Sequence, residues 1–127
     1  MEPADVVDEF IRRVVGGDCA GACELVTDDI EYDNVPVGKN IGPDALTSFL
    51  SAMMSGFDEV VFVTHRQVSN ATTVINERSD RFRIGDQWLE LPVAGVFEVT
   101  ADGRISLWRD YFDMSTFQRE LARITPS

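Results

Sequence analysis

Two charged residues interrupt an apolar strand face in the middle of the chain. Between residues 72 and 84 the even-numbered positions include Val74, Phe82 and Ile84, with Arg78 and Asp80 between them. Side chains alternate between the two faces of a β-strand, so Arg78 and Asp80 point to the same side as these apolar residues. Because a buried charge is costly unless it is paired, the pattern predicts an ion pair inside the protein.

A second inward carboxylate follows from the register of the next two strands. A two-residue turn at Gly85-Asp86 places the odd residues of the following strand on the inner face, and a turn at Asp102-Gly103 continues that face to Asp110. The predicted pairs are Phe82 with Leu89, Asp80 with Leu91, Arg78 with Val93, Phe97 with Trp108, Gly95 with Asp110 and Val93 with Phe112. Asp110 therefore shares a face with Arg78 and Asp80.

An earlier segment adds two uncharged polar groups. Around residues 30–34, Ile30, Tyr32 and Asn34 alternate with the charged Glu31 and Asp33, so a phenol and an amide also point inward. Apolar walls with a few polar groups are typical of a small-molecule site. The inner face of the predicted sheet is therefore a candidate active site.

The predicted register leaves a gap between the two carboxylates. Asp80 and Asp110 fall two strands apart, roughly 10 Å across an ideal sheet. We expect curvature of the sheet, a bulge near Pro92 or Gly95, and the long side chain of Arg78 to close this distance.

Two carboxylates around one guanidinium can supply an acid and a base together. The cluster is anionic when both carboxylates are ionised, and one proton makes it neutral, so a pocket of low dielectric constant favours the singly protonated form. One carboxylate can then take a proton from water while the other, as the acid, protonates a departing oxygen. This chemistry adds water across a strained bond, with Tyr32 and Asn34 placed to hold the water. Parity does not tell which aspartate carries the proton.

Helices come first in the chain and strands later. The apolar spacing predicts helices over residues 3–15, 19–26, 43–54 and 115–123, and strands over residues 30–34, 59–68, 72–84, 87–100 and 104–112. A Pro/Gly-rich stretch covers residues 35–42. Gln118 is spaced for a capping box to Ser115, and Asp113 is expected to cap the same helix. This order indicates an α+β fold with helices packed on one face of a mainly antiparallel sheet.

The composition fits one domain over residues 1–127, with 44% hydrophobic and 26% charged residues. The formal net charge of −11 would repel nucleic acid and an anionic membrane surface. No apolar run approaches the roughly 20 residues that span a bilayer. Residues 1–5 also lack the basic region of a signal peptide, so we expect a cytoplasmic protein.

Other catalytic groups are sparse. Cys19 and Cys23 lie four residues apart in a predicted helix, a poor framework for a disulfide, and we expect them to be buried thiols. His65 is the single histidine and has no companion at metal-ligand spacing, so we expect neither a zinc site nor a Ser-His-Asp arrangement. We expect no metal and no cofactor, which leaves the chemistry to carboxylates and their neighbours.

Three short motifs resemble the limonene-1,2-epoxide hydrolase family. They are Tyr32-Asp33-Asn34, Arg78-Ser79-Asp80 and Trp108-Arg109-Asp110-Tyr111-Phe112-Asp113, with Leu91-Pro92-Val93 between the last two. The likeness runs from about residue 5 to about residue 120, and the order and spacing of the motifs make it specific. It implies the cone-shaped, strongly curved mixed sheet of nuclear transport factor 2-like proteins, with an internal pocket. It also implies a homodimer and cofactor-independent hydrolysis of a small apolar epoxide to a vicinal diol.

The resemblance implies a role for each residue of the inner face. Asp110 would be the base that activates water, Asp80 the acid that protonates the epoxide oxygen, and Arg78 the group that orients and couples them. Tyr32 and Asn34 would also bind the water. The substrate pocket would include Leu91, Val93, Trp108, Phe112, Phe82 and Met53.

Other interpretations of the same residues remain open. Arg78 and Asp80 could form only a structural ion pair, and Tyr32 and Asn34 could cap the neighbouring loop. An isomerase or cyclase of the ketosteroid isomerase or polyketide cyclase type would use one aspartate base and leave Arg78 without a role. A non-catalytic module for small ligands would need neither acid nor base. A structural dimerisation domain would fill the cone with apolar side chains.

Overall fold

A computed structural model describes residues 1–126 of the chain. The helices are α1 (Pro3–Val15), α2 (Cys19–Cys23), α3 (Pro43–Ser55) and α4 (Met114–Ile124). The strands are β1 (Val26–Asn34), β2 (Gly38–Ile41), β3 (Glu59–Asn70), β4 (Thr73–Ile84), β5 (Gln87–Val99) and β6 (Ile105–Tyr111). Within these residues, every helix falls short of the length and apolar character needed to cross a membrane.

One six-stranded sheet organises the molecule, in the order β2-β1-β6-β5-β4-β3. Strands β3 to β6 form the predicted antiparallel meander, and β2 is antiparallel to β1. Strand β1 runs parallel to β6, which makes the sheet mixed. Helices α1, α3 and α4 pack against the sheet, and its edges β2 and β3 do not join. The predicted α+β class and mainly antiparallel sheet are confirmed.

Helix α1 forms because its apolar residues recur every three or four positions and have a sheet to cover. Pro3 lies in its first turn, where the missing N–H costs no hydrogen bond. Phe10 and Val14, one turn apart, are completely buried. The ring of Phe10 meets that of Trp108 edge to face, with centroids 5.2 Å apart. This contact anchors the helix over the middle of the sheet.

The register of β4, β5 and β6 agrees with the sequence prediction for all pairs but one. The confirmed pairs are Phe82 with Leu89, Asp80 with Leu91, Arg78 with Val93, Phe97 with Trp108 and Gly95 with Asp110. Val93 does not pair with Phe112, because β6 ends at Tyr111. The bulge predicted near Pro92 or Gly95 is also wrong, since the β4–β5 ladder keeps one register over its whole length, residues 73–84.

The segment between α1 and α3 differs most from the prediction. Helix α2 ends at Cys23 and not at residue 26, because Val26 begins β1, where it pairs with Ile105 of β6. The Pro/Gly-rich stretch contains strand β2, which pairs with β1 and was not predicted. Cys19 and Cys23 are free thiols, and both are half-buried instead of buried, since α2 is a short helix near the surface.

The start of α4 corrects a second local prediction. Asp113 is its N-cap, as expected, and the Asp113 carboxylate accepts a hydrogen bond from the backbone N–H of Thr116. The capping box of Ser115 with Gln118 does not form, because the helix begins at Met114, so Ser115 lies within its first turn. The hydroxyl of Ser115 donates to Asp113 instead.

Replacing Phe10 with Ala should destabilise the protein by about 3–5 kcal/mol, because it removes a buried aromatic ring and leaves a cavity against Trp108. Denaturant unfolding curves would measure the difference. The matched control is Val35→Ala, in the turn after β1 at a position that is 46% exposed, where a change within about 0.5 kcal/mol is expected. Equal effects of the two substitutions would contradict this account of the core.

Candidate active site

A cavity of about 130 Å³ lies between the inner face of the sheet and helices α3 and α4. Four polar side chains face it, namely Tyr32, Asn34, Asp80 and Asp110. The rest of the wall is apolar and consists of Val37, Phe49, Met53, Phe57, Phe62, Phe82, Leu91, Val93, Phe112, Met114 and Phe117. The cavity is thus an apolar space with polar groups concentrated on the strands.

Five of the six residues predicted for the pocket wall line this cavity: Leu91, Val93, Phe112, Phe82 and Met53. Trp108 does not, and is 1% exposed. It stacks on Tyr32 at 4.2 Å between ring centroids, and its Nε1–H donates to Asp110 Oδ1 at 2.8 Å. The prediction that Trp108 points to the inner face of the sheet is correct. Its ring does not reach the cavity, because it packs against Phe10 of α1.

The Arg78 guanidinium bridges the two carboxylates. Its Nη2 lies 2.9 Å from Asp80 Oδ2 and 2.9 Å from Asp110 Oδ2. Its Nε donates to Asp80 Oδ1 at 2.9 Å, and Nη1 donates to Asp110 Oδ1 at 3.3 Å. The Arg78 side chain has no exposed surface. The long side chain of Arg78 therefore spans the distance between Asp80 on β4 and Asp110 on β6, as expected from the sequence.

Gly95 provides the space for this bridge. It lies on β5 between Asn76 and Asp110, its partners on the two neighbouring strands. A Cβ at this position would lie 2.5 Å from Arg78 Nη1 and 2.9 Å from Asp110 Oδ1. Both distances are shorter than a side chain can tolerate, so the absence of a Cβ lets the guanidinium cross β5.

Burial and neighbouring charges shift the pKa values of Asp80 and Arg78. Burial raises the pKa of Asp80 to about 6, although the hydrogen bonds and charge of Arg78 act in the opposite direction. Burial acts to lower the pKa of Arg78, but the carboxylates of Asp110 and Asp80 outweigh it and raise that pKa above its usual value. Arg78 therefore stays charged, and Asp80 takes up a proton in mildly acidic solution.

Tyr32 and Asn34 lie beside Asp110 because β1 is parallel to β6. Their register partners on β6 are Trp108 and Asp110. Asn34 Nδ2 donates to the Tyr32 hydroxyl oxygen at 3.0 Å, so these side chains bond to each other and not to the neighbouring loop. Burial raises the pKa of Tyr32 above its usual value, and the phenol keeps its proton. The Tyr32 O–H can donate a hydrogen bond to a bound water, and the Asn34 carbonyl can accept one from it.

Sequence reasoning missed one polar member of the cluster and part of the wall. Asn76 is 1% exposed and its Oδ1 accepts from Arg78 Nη1 at 3.0 Å. Asn76 lies two residues before Arg78 on the same strand, so the alternation of side chains already placed it on the inner face. The ring of Phe62 lies 5.0 Å from the guanidinium carbon of Arg78. Phe49 lies four residues before Met53 on α3, a spacing that places both on one helix face.

Comparison with known proteins gives this arrangement a family. The model of the limonene-1,2-epoxide hydrolase catalytic domain matches residues 1–123. Epoxide hydrolase EphG of Mycobacterium tuberculosis (strain ATCC 25618 / H37Rv) is 34% identical over 119 residues, which cover 92% of this chain and 77% of EphG.

Solved structures agree with the fold. The structure of an M. tuberculosis LEH-like epoxide hydrolase has 32% identity and a TM-score of 0.83, over 97% of this chain and 91% of that one. A protein from Shewanella putrefaciens CN-32 described as a SnoaL-like polyketide cyclase has a TM-score of 0.86 over 97% of this chain and 98% of its own, but 13% identity. The second likeness concerns the fold alone. On the family match and the EphG identity, this chain belongs to the limonene-1,2-epoxide hydrolase family and is an epoxide hydrolase.

Proposed function

We propose that the protein hydrolyses a small apolar epoxide to a vicinal diol in one acid/base-catalysed step, without a cofactor. The observation that carries the proposal is the contact of one buried guanidinium with two carboxylates, each 2.9 Å from Arg78 Nη2, at the wall of an apolar cavity. An epoxide is neutral and apolar, so the cavity wall suits it. Its oxygen is the one part that needs a proton donor.

In the proposed step, Asp110 takes a proton from water as the water oxygen bonds to one ring carbon. The bond from that carbon to the epoxide oxygen breaks, and the Asp80 carboxylic acid protonates the departing oxygen. The sum is one water added to one epoxide. Asp110 then holds a proton and Asp80 is ionised, so a proton has to return to Asp80 before the next turnover.

The hydrogen bonds support this division of roles. Asp110 accepts from Arg78 Nη1, Arg78 Nη2 and Trp108 Nε1, whereas Asp80 accepts from Nε and Nη2 of Arg78. An ionised carboxylate can only accept, so the additional donor favours Asp110 as the ionised partner. Burial raises the pKa of Asp80 to about 6, so this carboxyl group holds a proton in mildly acidic solution and can act as the general acid. In this scheme the Tyr32 hydroxyl donates a hydrogen bond to the water oxygen, and the Asn34 carbonyl accepts a hydrogen bond from the second O–H of the water.

The alternative interpretations fit the geometry less well. An isomerase or cyclase with one aspartate base would leave Arg78, which contacts both carboxylates, without a function. A module that only binds an apolar ligand would gain nothing from two carboxylates at the cavity wall, since burying charges opposes stability. A purely structural domain would not require a cavity of about 130 Å³.

We also propose a homodimer that forms through the outer face of the sheet. Val68, Ile75 and Tyr111 on this face are 66%, 44% and 47% exposed. Val68 and Ile75 are partners across β3 and β4, so their side chains form one apolar patch. Such a patch is typical of a protein–protein contact.

A cytoplasmic location is proposed on the chemistry of the two cysteines. Cys19 and Cys23 are free and half-buried. Free thiols of this kind persist in a reducing compartment, where disulfides are rare. The proposal agrees with the location expected from the sequence.

Wild-type protein should convert an epoxide such as limonene oxide or cyclohexene oxide to a diol that carries one labelled oxygen from heavy-oxygen water. Asp80→Asn and Asp110→Asn should stay folded and lose about a hundredfold or more in kcat, because each lacks the acid or the base. The matched control is Asp86→Asn in the exposed β4–β5 turn, which should keep full turnover. Normal turnover by either active-site variant would refute its role, and absence of diol from every epoxide would favour an isomerase or cyclase.

The pH dependence of kcat/KM should be bell-shaped, because the reaction needs one protonated and one ionised carboxyl group. The alkaline limb should begin near pH 6, where Asp80 loses its proton, and approach a tenfold fall for each further pH unit. The acid limb reports protonation of the base. Initial rates over the pH range in which the protein stays folded would measure both, and a flat profile would count against a coupled acid and base.

Ile75→Glu should convert the dimer to a monomer of 14.2 kDa, because it buries an unpaired charge in the proposed contact. Light scattering after size-exclusion chromatography would give the mass. Ala52→Glu, at an exposed position on helix α3, adds the same charge away from the outer face of the sheet and should remain dimeric. A monomeric wild-type protein would overturn the proposal.

A further inference from the structure

The hydrogen-bonding capacity of Arg78 points beyond the two carboxylates. A guanidinium has five N–H groups, all of them donors. Four of these donate to Asp80 and Asp110, two to each carboxylate. The fifth, on Nη1, donates to Asn76 Oδ1 at 3.0 Å. Within the described residues 1–126, Asn76 is therefore the one acceptor for the N–H of Arg78 that the two carboxylates leave free.

Asn76 belongs to a chain of hydrogen bonds that reaches the surface. Its Nδ2 donates to Gln67 Oε1 at 3.0 Å, and Gln67 Nε2 donates to Asp8 Oδ1 on helix α1 at 3.0 Å. Arg78 at one end can only donate, and the Asp8 carboxylate at the other can only accept. Two amides between such ends have one orientation that satisfies every contact. The chain thus fixes the Asn76 carbonyl towards Arg78.

A bulge in β3 places Gln67 in this chain. Thr64 pairs with Arg78, but two residues later Arg66 pairs with Glu77, so His65 is the extra residue. The shift brings Gln67 opposite Asn76. In an unbroken register Arg66 would occupy that position and present a second cation to the cluster. Bulges are frequent beside active sites, where they redirect a side chain.

We propose that Asn76 is a positioning residue for the epoxide-opening reaction: it holds the fifth N–H of Arg78, so that the other four face Asp80 and Asp110, and Gln67 and Asp8 fix its amide. This inference rests on the proposed function, because it assigns Asn76 an effect on those two aspartates. Asn76 itself does not line the cavity. Its action on the reaction passes through Arg78.

The physical consequence concerns the orientation of the guanidinium. Without Asn76, one N–H of Arg78 would be buried without an acceptor, a state that favours rotation of the group or entry of water. Rotation would weaken the bonds to Asp80, and those bonds act to lower the pKa of the Asp80 carboxyl. Loss of the Asn76 carbonyl should therefore raise the pKa of Asp80 and misplace both carboxylates.

The test compares Asn76→Leu, Gln67→Leu and Gln67→Glu with the wild type and with Asn70→Leu, an asparagine control in the exposed β3–β4 hairpin. Asn76→Leu should lower kcat by about tenfold to a hundredfold and move the alkaline limb of the kcat/KM profile to higher pH. Gln67→Leu should act in the same direction but more weakly. Gln67→Glu keeps the oxygen that accepts from Asn76, so it should lie closer to the wild type than Gln67→Leu.

Gln67 is half-buried, so its variants test the chain even where Asn76→Leu does not fold. Wild-type kcat in both leucine variants would overturn the inference. A lower kcat with an unmoved alkaline limb would also overturn it, because a packing defect alone would give that result. Asp110→Asn is measured in the same series: if it keeps wild-type turnover, the proposed function fails together with the inference. If it is inactive, any failure of the Asn76 and Gln67 variants concerns the positioning role alone.

Discussion

The buried charge of Arg78 is the constraint on which the rest of the structure depends. A guanidinium stays ionised and can only donate, so its removal from water requires an acceptor for each N–H. Asp80 and Asn76 supply acceptors from β4, on either side of Arg78 in sequence, and Asp110 supplies them from β6. That geometry requires β5 to lie between the two carboxylates and to carry no side chain where the guanidinium crosses, at Gly95.

The same interaction prepares the cavity for acid and base chemistry. One cation between two carboxylates leaves a net negative charge, and burial in apolar surroundings favours uptake of one proton, which makes the cluster neutral. Asp80 and Asp110 differ because different groups surround them. Trp108 donates to Asp110, while burial raises the pKa of Asp80 to about 6. In the proposed mechanism, two chemically identical side chains have different tasks because their environments differ.

The fold alone would not decide this chemistry. The protein described as a SnoaL-like polyketide cyclase has the same fold as this chain, with a TM-score of 0.86, at 13% sequence identity. In the present chain the polar side chains at the cavity lie on the inner face of β1, β4 and β6. The helices contribute mainly the apolar wall, with Phe49 and Met53 on α3 and Phe117 on α4. The polar groups thus lie on the strands, while strands and helices together form the apolar wall.

The sequence determined the features that depend on local periodicity. Alternation assigned Arg78, Asp80 and Asp110 to one face, and the two-residue turns fixed the β4–β5–β6 register. Tertiary structure decided the rest: the parallel pairing of β1 with β6, the place of Trp108 behind Asp110, and the chain from Asn76 through Gln67 to Asp8. Parity gives the direction of a side chain but not its reach or its partner. Those depend on strand order and on a bulge such as that at His65, which arise only when distant segments pack together. The sequence contains Gly95, but only the packed structure shows that the guanidinium crosses β5 at that position.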